Sequence, residues 1–343
     1  MSKIHLLQLD ERSIYFNEAV AELDIPFPII EKDFWVVWTL ERLFSLKELK
    51  SHLTFKGGTS LSKVYGLIER FSEDIDVSIE KDFLGFDSEE KNPEKAKTKN
   101  KQRAALEELS KACGDYVQNE MAALLKKCIS DELGTNQGWQ LVPDMKDPQA
   151  LLFEYPNITA RGAYIHQAIK IEMGARSEHW PVSLQKVQSF VKKALKDKVT
   201  EPEFEIRVLN AERTFWEKAT ILHQYAYLPA DKVLPDRLSR HLYDFYKLLN
   251  SPVKDKALSD LTLLDRVAEH KKIYFASAWA NYETAKKGSL KVFPLNRVLA
   301  ALEEDYEKMS IMFYGSKRPD WQVILQAIND FEQEFNGGGN VKK

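Results

Sequence analysis

The sequence contains little cysteine and no long apolar run. Its only two cysteines among 343 residues, Cys113 and Cys128, are too few for a disulfide framework or a four-cysteine zinc site. No apolar stretch reaches the roughly 18 residues expected of a membrane-spanning helix. The chain also opens without the charged and apolar regions of a signal peptide. These absences predict a protein of the reducing cytoplasm that does not enter a membrane.

Neither sign of charge dominates. The 49 lysines and arginines nearly balance the 52 aspartates and glutamates, which gives a formal net charge of −3. The protein as a whole therefore has no electrostatic attraction to nucleic acid, and any RNA binding must come from a local basic patch. The 44% share of hydrophobic residues is enough for a buried core, in one large domain or in two.

A short segment near residue 60 combines a glycine turn with a helix start. Gly57 and Gly58 follow a predicted strand and permit a tight turn and the close approach of a ligand to the backbone. Thr59 or Ser60 is predicted to cap a helix that runs to about Glu69. The unpaired N–H groups at such a helix start are suited to binding a phosphate.

An acidic strand follows this helix. Asp74, Asp76 and Ser78 alternate with apolar residues, so they lie on one face of the predicted strand. Carboxylates two positions apart repel each other and are not buried without compensation. A divalent cation such as Mg²⁺, which is commonly held by one or two carboxylates and substrate phosphates, would neutralise them. By spacing alone, an exposed acidic edge strand next to an unrelated glycine turn is an equally good interpretation.

The string FKGGTSLSKVYGLIERFSEDIDVSI, residues 55–79, resembles the signature of DNA polymerase β-type nucleotidyltransferases. In particular it is similar to the AbiEii/AbiGii-type nucleotidyltransferase toxins of bacterial abortive-infection and toxin–antitoxin systems. The resemblance implies an α+β fold, with a polymerase β-like core built on a small mixed sheet and a large helical C-terminal region. It also implies an Mg²⁺-dependent enzyme that transfers NMP from an NTP to RNA, with the tRNA 3′ acceptor end as target, and a separate antitoxin protein as partner.

The first 50 residues are predicted to be helical. Within them, Glu-Lys-Asp-Phe-Trp at 31–35 resembles an acidic–basic element of the family, although a capped helix start with Asp33 near its positive end explains it equally well. Residues 85–135 predict a helical insertion with a basic entrance between Lys91 and Arg103. That entrance is either a solvated, mobile loop or a contact to the phosphate backbone of RNA.

A later predicted strand, Ala168 to Met173, alternates apolar and polar residues and places Lys170 and Glu172 on one face. The family resemblance implies that a neighbouring strand supplies a third metal-binding carboxylate, for which Glu172 is the candidate. The alternative is an ordinary exposed lysine–glutamate pair. Arg176 could meet a phosphate or pair with Glu172.

The chain from about residue 181 onward is predicted to be helical. A helix from Ala211 to about Tyr227 carries Arg213 and Glu217 four positions apart, which predicts an exposed ion pair. Lys218 then points to another face of that helix. It could also be a lysine whose stem covers apolar surface and that has no role in the chemistry.

The next predicted helix, Asp236 to about Leu249, has an apolar stripe and a concentrated polar side. The predicted stripe consists of Leu238, Leu242, Phe245 and Leu249. These two helices resemble the later motifs of the family, and the resemblance implies catalytic roles for Lys218 and Asp244 and a nucleotide contact for Arg240. Asp244 would orient either Lys218 or the acceptor hydroxyl.

The sequence and the resemblance together predict a catalytic set, a metal set and a nucleotide-binding set. The catalytic residues are Asp74, Asp76, Lys218 and Asp244. The metal ligands are Asp74, Asp76 and Glu172. The nucleotide-binding residues are Gly57, Gly58, Thr59, Ser60, Lys63, Ser72 and Arg240, where Lys63 either adds charge near the phosphates or is simply exposed.

Three chain segments are predicted: a nucleotidyltransferase domain at 1–180, a helical domain at 181–336 that completes the active site, and a disordered tail at 337–343. Two other functions fit the same residues. The protein could attach a nucleotide to a protein or a small molecule, or it could bind nucleotides and partners after losing transfer activity.

Overall fold

The structure is a computed structural model that describes residues 3–135, 138–158, 168–201, 203–314 and 318–337. Apart from Gly337, the predicted disordered tail lies outside the described residues. The chain forms two compact units. The first comprises Met1–Gly66 and Phe71–Leu209, and the second comprises Leu67–Arg70 and Asn210–Lys343. The division falls after Leu209, whereas the sequence placed it at about residue 180.

The first unit is an α+β structure, as predicted. Its helices are α1 (Leu9–Leu23), α2 (Phe27–Ser45), α3 (Gly57–Lys63), α4 (Lys99–Tyr116), α5 (Ala122–Leu133) and α6 (Phe190–Leu195). Its strands are β1 (Leu53–Lys56), β2 (Ile75–Ile79), β3 (Gln140–Pro143), β4 (Ala150–Glu154), β5 (Ala168–Gly174), β6 (Val182–Val187) and β7 (Phe204–Leu209). They form one mixed sheet in the order β3-β4-β5-β2-β1-β7-β6.

The acidic strand β2 lies in the middle of this sheet. It pairs antiparallel with β1 and parallel with β5. Ile75, Val77 and Ile79 are buried, which confirms the predicted apolar face. Behind the sheet's β4 strand, Trp38 of α2 stacks on Phe153 with ring centroids 5.8 Å apart. The sheet is thereby anchored to a helix that is buried along most of its length.

The prediction of helix from residue 181 is wrong for β6 and β7. These strands pair antiparallel with each other, and β7 also pairs parallel with β1 through Val208 and Phe55. Strand β6 is at the edge of the sheet, and its Leu184 is 65% exposed. Apolar and polar residues alternate from Val182 to Gln185 and from Phe204 to Val208, so the signal by which a strand is recognised was present in the sequence and was missed. The predicted insertion at 85–135 does form helices, α4 and α5, and the second half of its basic run belongs to α4 rather than to a loop.

The second unit is helical, as predicted. Its helices are α7 (Ala211–Tyr225), α8 (Ser239–Leu249), α9 (Val253–Ser259), α10 (Thr262–Tyr274), α11 (Leu299–Lys308) and α12 (Trp321–Phe335). Helices α7 and α8 pack through Phe215 and Phe245, and Phe331 of α12 contacts both rings. Leu248 takes the fully buried place predicted for Leu249. Within the described residues, no helix is both long and apolar enough to cross a membrane.

Candidate active site

Three acidic residues predicted to bind metal are grouped at β2 and β5. Asp76 on β2 is the register partner of Glu172 on the parallel strand β5. Asp74 lies just before β2, where burial raises its pKa to about 6, with further upward contributions from Glu73, Asp76 and Glu172. Since these negative charges act on one another in a half-buried place, a divalent cation would be stabilised there.

The donor set suits a hard cation, because carboxylate oxygens are the ligands that Mg²⁺ prefers. However, no group of three or more His, Cys, Asp or Glu side chains in the described part of the chain is already arranged as a metal site. Glu172 forms an ion pair with Lys170, with 2.6 Å between Nζ of the lysine and Oε1 of the glutamate. Lys170 also lies 3.6 Å from Asp144 and 3.4 Å from Asp147. The shared face of Lys170 and Glu172 is confirmed, and the role of Glu172 as a ligand stays a prediction.

The glycine turn is shaped by the acidic strand itself. Gly57 has φ +79°, and a Cβ added to it would lie 2.1 Å from Oδ2 of Asp76. Any larger residue would therefore have to displace this carboxylate. The structure thus shows Gly57 in close contact with one of the predicted metal ligands, and the approach of a bound ligand to this turn stays a prediction.

The predicted helix cap is wrong, because α3 begins at Gly57 itself and ends at Lys63 rather than Glu69. The hydroxyl of Thr59 lies 2.5 Å from the carbonyl oxygen of Asp74 and 2.9 Å from Oγ of Ser72. Ser60 donates its hydroxyl to the carbonyl of Gly57 at 2.8 Å. Thr59 thus holds the turn against the segment that carries Asp74, and Ser60 closes the turn on itself.

Lys63 is not exposed, so that alternative is wrong. Its side chain is 4% exposed and forms an ion pair with Asp33 of α2. Its ammonium lies 3.4 Å from the ring centroid of Phe190, and Asp33 also accepts the backbone N–H of Phe190 at 2.6 Å. Burial lowers the pKa of Lys63 and raises that of Asp33. The phosphate role of Lys63 stays a prediction, and the structure gives this lysine a different partner.

Helix α2 carries buried charges that the sequence analysis did not assign. Asp33 is in the interior of this helix, which begins at Phe27, so the interpretation as a capped helix start is wrong. Lys32, 1% exposed, donates to Glu73 at 2.8 Å, and Glu31 accepts the backbone N–H of Ile158 at 2.6 Å. The signal in the sequence was a run of three charged residues between apolar neighbours, Ile30 and Phe34, because such groups are buried only when paired.

A second polar cluster lies within the helical unit. Lys218 of α7 donates to Oδ2 of Asp244 on α8 at 2.7 Å, and its Nζ lies 2.9 Å from Nδ1 of His241. Arg70 reaches the same carboxylate with a two-pronged contact, Nε to Oδ1 and Nη2 to Oδ2, both at 2.7 Å. Asp244 is fully buried. The structure therefore brings Lys218 and Asp244 together, and it adds Arg70, which the sequence analysis missed.

Burial and neighbouring charges shift the pKa values of the residues in this cluster. Burial alone would raise the pKa of Asp244, but Arg70 and Lys218 hold it well below its usual value. Burial lowers the pKa of Lys218, and the positive charges of Arg70 and Arg240 lower it further against the effect of Asp244. Burial also keeps His241 neutral by lowering its pKa. Asp244 is thus an ionised acceptor with both oxygens in use.

The Arg213–Glu217 pair forms at 3.2 Å, but it is not the exposed pair predicted. Arg213 is fully buried, because α8, α9 and α10 all pack on α7. The inference drawn from the pair is nevertheless confirmed, since Lys218 points to a different face and meets Asp244.

Most of the chain matches a known protein family. Residues 38–327 match the family model described as "Nucleotidyl transferase AbiEii toxin, Type IV TA system". MenT4, a nucleotidyltransferase toxin from Mycobacterium tuberculosis H37Rv, is similar over 96% of this chain and 97% of its own, at 14% identity and a TM-score of 0.44. JHP933 from Helicobacter pylori covers 90% of this chain and 97% of its own, at 14% identity and a TM-score of 0.34. No curated protein matches the chain. With the family model spanning most of its length, the chain belongs to the AbiEii family of nucleotidyltransferase toxins of type IV toxin–antitoxin systems.

Proposed function

We propose that this protein is the cytoplasmic, Mg²⁺-dependent toxin of an abortive-infection, phage-defence system, and that it transfers NMP from an NTP to the 3′ acceptor end of tRNA. The family supplies the reaction class and implies an NTP substrate and an antitoxin partner. The observation that carries the proposal is the acidic group at β2 and β5, in which the pKa of Asp74 is raised to about 6. Such a raised carboxyl pKa beside other carboxylates is typical of a functional site.

Asp74 and Asp76, with Glu172, would hold the metal. When bound there, Mg²⁺ would neutralise phosphate charge and align the attacking and leaving oxygens of an in-line displacement at the α-phosphorus. Oε1 of Glu172 is paired with Lys170, so Glu172 would hold the cation through its other carboxylate oxygen or after releasing that lysine.

The turn at Gly57 and Gly58 would receive the triphosphate through its backbone. The first N–H groups of a helix have no intrahelical acceptor, and here they follow a glycine that lies against Asp76. Thr59 and Ser60 would act indirectly, because their buried hydroxyls are already bonded within the protein. With Ser72 they would shape the turn rather than contact the nucleotide through their side chains.

Lys218 would stabilise the negative charge of the departing pyrophosphate. Positioning and electrostatic stabilisation account for most of the catalysis of phosphoryl and nucleotidyl transfer. Asp244 would orient Lys218 rather than accept the proton of the acceptor hydroxyl, because its oxygens are occupied and its pKa is held low. Arg240 would add positive charge near the same groups.

A labelling experiment tests this function. The purified protein is incubated with Mg²⁺ and each α-labelled NTP in turn, in the presence of purified tRNA. We expect label in tRNA and none in tRNA whose 3′ end has been oxidised with periodate. Asp74→Asn, which keeps the shape of the side chain and removes its charge, is the matched control and should give no labelled tRNA.

The other outcomes identify the alternatives. Label found in a protein or in a small molecule would show that this molecule, and not RNA, is the nucleotide acceptor. Binding of NTP without any transfer, under conditions in which the protein is folded, would show a nucleotide-binding protein and overturn the proposed enzyme activity.

A further inference from the structure

We propose that Arg70 is a positioning residue of the transfer reaction, which fixes the ammonium group of Lys218 by holding the carboxylate of Asp244. This inference rests on the proposed function and concerns a residue outside the predicted catalytic set. Arg70 is 4% exposed and Asp244 is fully buried, so water does not compete for their contact. Oδ1 accepts from Arg70, and Oδ2 accepts from both Arg70 and Lys218.

The two-pronged contact determines the plane of the carboxylate. A guanidinium group is planar and presents two parallel N–H donors, so it matches both oxygens of one carboxylate and prevents its rotation. Lys218, by contrast, is a point charge on a flexible stem. Its Nζ has a defined place because the Oδ2 atom to which it donates is held still by Arg70.

Arg70 itself extends from a fixed segment of backbone. A β-bridge joins it to Phe313, and the next residue of that segment, Tyr314, donates its N–H to the carbonyl of Glu69 at 3.1 Å. The N–H of Glu69 donates to the hydroxyl of Tyr243 at 3.1 Å. All of these residues belong to the helical unit. Arg70 thus provides a rigid base for the arrangement of Asp244 and Lys218.

Charge balance supports a role in transfer beyond folding. A lysine paired with a single aspartate forms a neutral pair, which would contribute little to stabilising a departing anion. Here Arg70 brings a second positive charge to the carboxylate that Lys218 contacts, so the charge of Asp244 is balanced by Arg70 as well as by Lys218. Arg70 therefore allows Lys218 to be oriented by a carboxylate without losing its effect on the pyrophosphate.

The experiment measures kcat and the KM for NTP in steady-state transfer, together with the melting temperature. Arg70→Lys keeps the charge but loses the planar donor pair, and we expect kcat to fall about tenfold with KM within about twofold. Arg70→Gln, which also loses the charge, should lower kcat about a hundredfold. Lys247→Gln is the matched control, because it removes a different ion pair of this segment, between Nζ and Glu69 at 3.0 Å, and leaves the contacts of Asp244 in place. It should transfer within about twofold of the unmutated rate.

A double-mutant cycle separates positioning from general stabilisation. If Arg70 acts through Lys218, then Arg70→Gln should lower kcat less than about threefold in a Lys218→Ala background, because the ammonium group that Arg70 positions is absent there. If Arg70→Gln does not fold, the same cycle is made with Arg70→Lys. An equal loss in both backgrounds, or an equal loss in Lys247→Gln, would overturn the inference. Absence of transfer by the unmutated protein would instead reject the proposed function.

Discussion

Gly57→Ala tests whether the glycine turn serves the acidic site. The new Cβ would lie 2.1 Å from Oδ2 of Asp76 and 2.7 Å from its Cγ, whereas ordinary contact begins at about 3.4 Å. The carboxylate must therefore retreat by at least about 1 Å. Mg²⁺ demands near-ideal octahedral geometry with oxygens at about 2.0–2.1 Å, so a shift of this size would break the contact that Asp76 is proposed to make with the cation. A misplacement of about 1 Å can cost about a hundredfold in rate, which is the loss expected here.

Gly66→Ala is the matched control for this change. Gly66 also has a positive φ, +61°, but no atom lies within 4 Å of its added Cβ. Both variants place an alanine in the left-handed backbone region, which lowers the free energy of unfolding by about 1–2 kcal/mol. For a protein of this size, that corresponds to a fall in Tm of at least about 2 °C. Only Gly57→Ala also displaces Asp76.

The assay combines nucleotidyl transfer, Mn²⁺ binding by electron paramagnetic resonance, and thermal melting without metal. Gly66→Ala should show the fall in Tm with transfer and Mn²⁺ affinity near those of the unmutated protein. Gly57→Ala should lose at least about tenfold in Mn²⁺ affinity together with its transfer rate. If Gly57→Ala transfers within threefold of Gly66→Ala, the turn does not support the acidic site and the reasoning is refuted.

Three further predictions concern the carboxylates and the lysine. Because the pKa of Asp74 is raised to about 6 in the folded protein, the metal-free protein should lose stability as pH rises from about 4 through 6. Asp74→Asn should remove this loss, so at pH 7 its melting temperature should be higher and its free energy of unfolding greater by at most about 3 kcal/mol. A melting temperature at pH 7 below that of the unmutated protein would contradict this prediction. Lys218→Ala should slow transfer at least about a hundredfold and still fold normally, because Asp244 keeps Arg70 as its partner. Lys218→Arg should be partly active. If Lys218→Ala is as toxic as the unmutated protein, the lysine is structural. Glu172→Gln should weaken Mn²⁺ binding about tenfold if Glu172 is the third ligand, and unchanged affinity in a calorimetric titration would leave it as the partner of Lys170.

The sequence by itself determined the position of the acidic strand and the helical character of most of the second unit. The α+β fold class and the selection of Lys218 and Asp244 came from the family resemblance, which left open whether Asp244 meets Lys218 or the acceptor hydroxyl. The alternation around Asp76 is a local, two-residue pattern, and a strand that follows it buries its apolar face wherever it is placed in the sheet. The helices of the second unit likewise follow from apolar residues that recur at helical spacing. Family resemblance, carried by residues 55–79, supplied the reaction class that such patterns cannot give.

The tertiary structure decided which partners these faces meet. Arg70 contacts a residue 174 positions away, and Lys63 forms its ion pair with a residue of another helix. Strand β7 joins the sheet through β1, which lies far from it in the chain. Helical and strand periodicity shows which residues share a face, but the same face can pack against many others. The choice is made when buried charges and backbone groups must all find partners at once, and that condition depends on the whole fold.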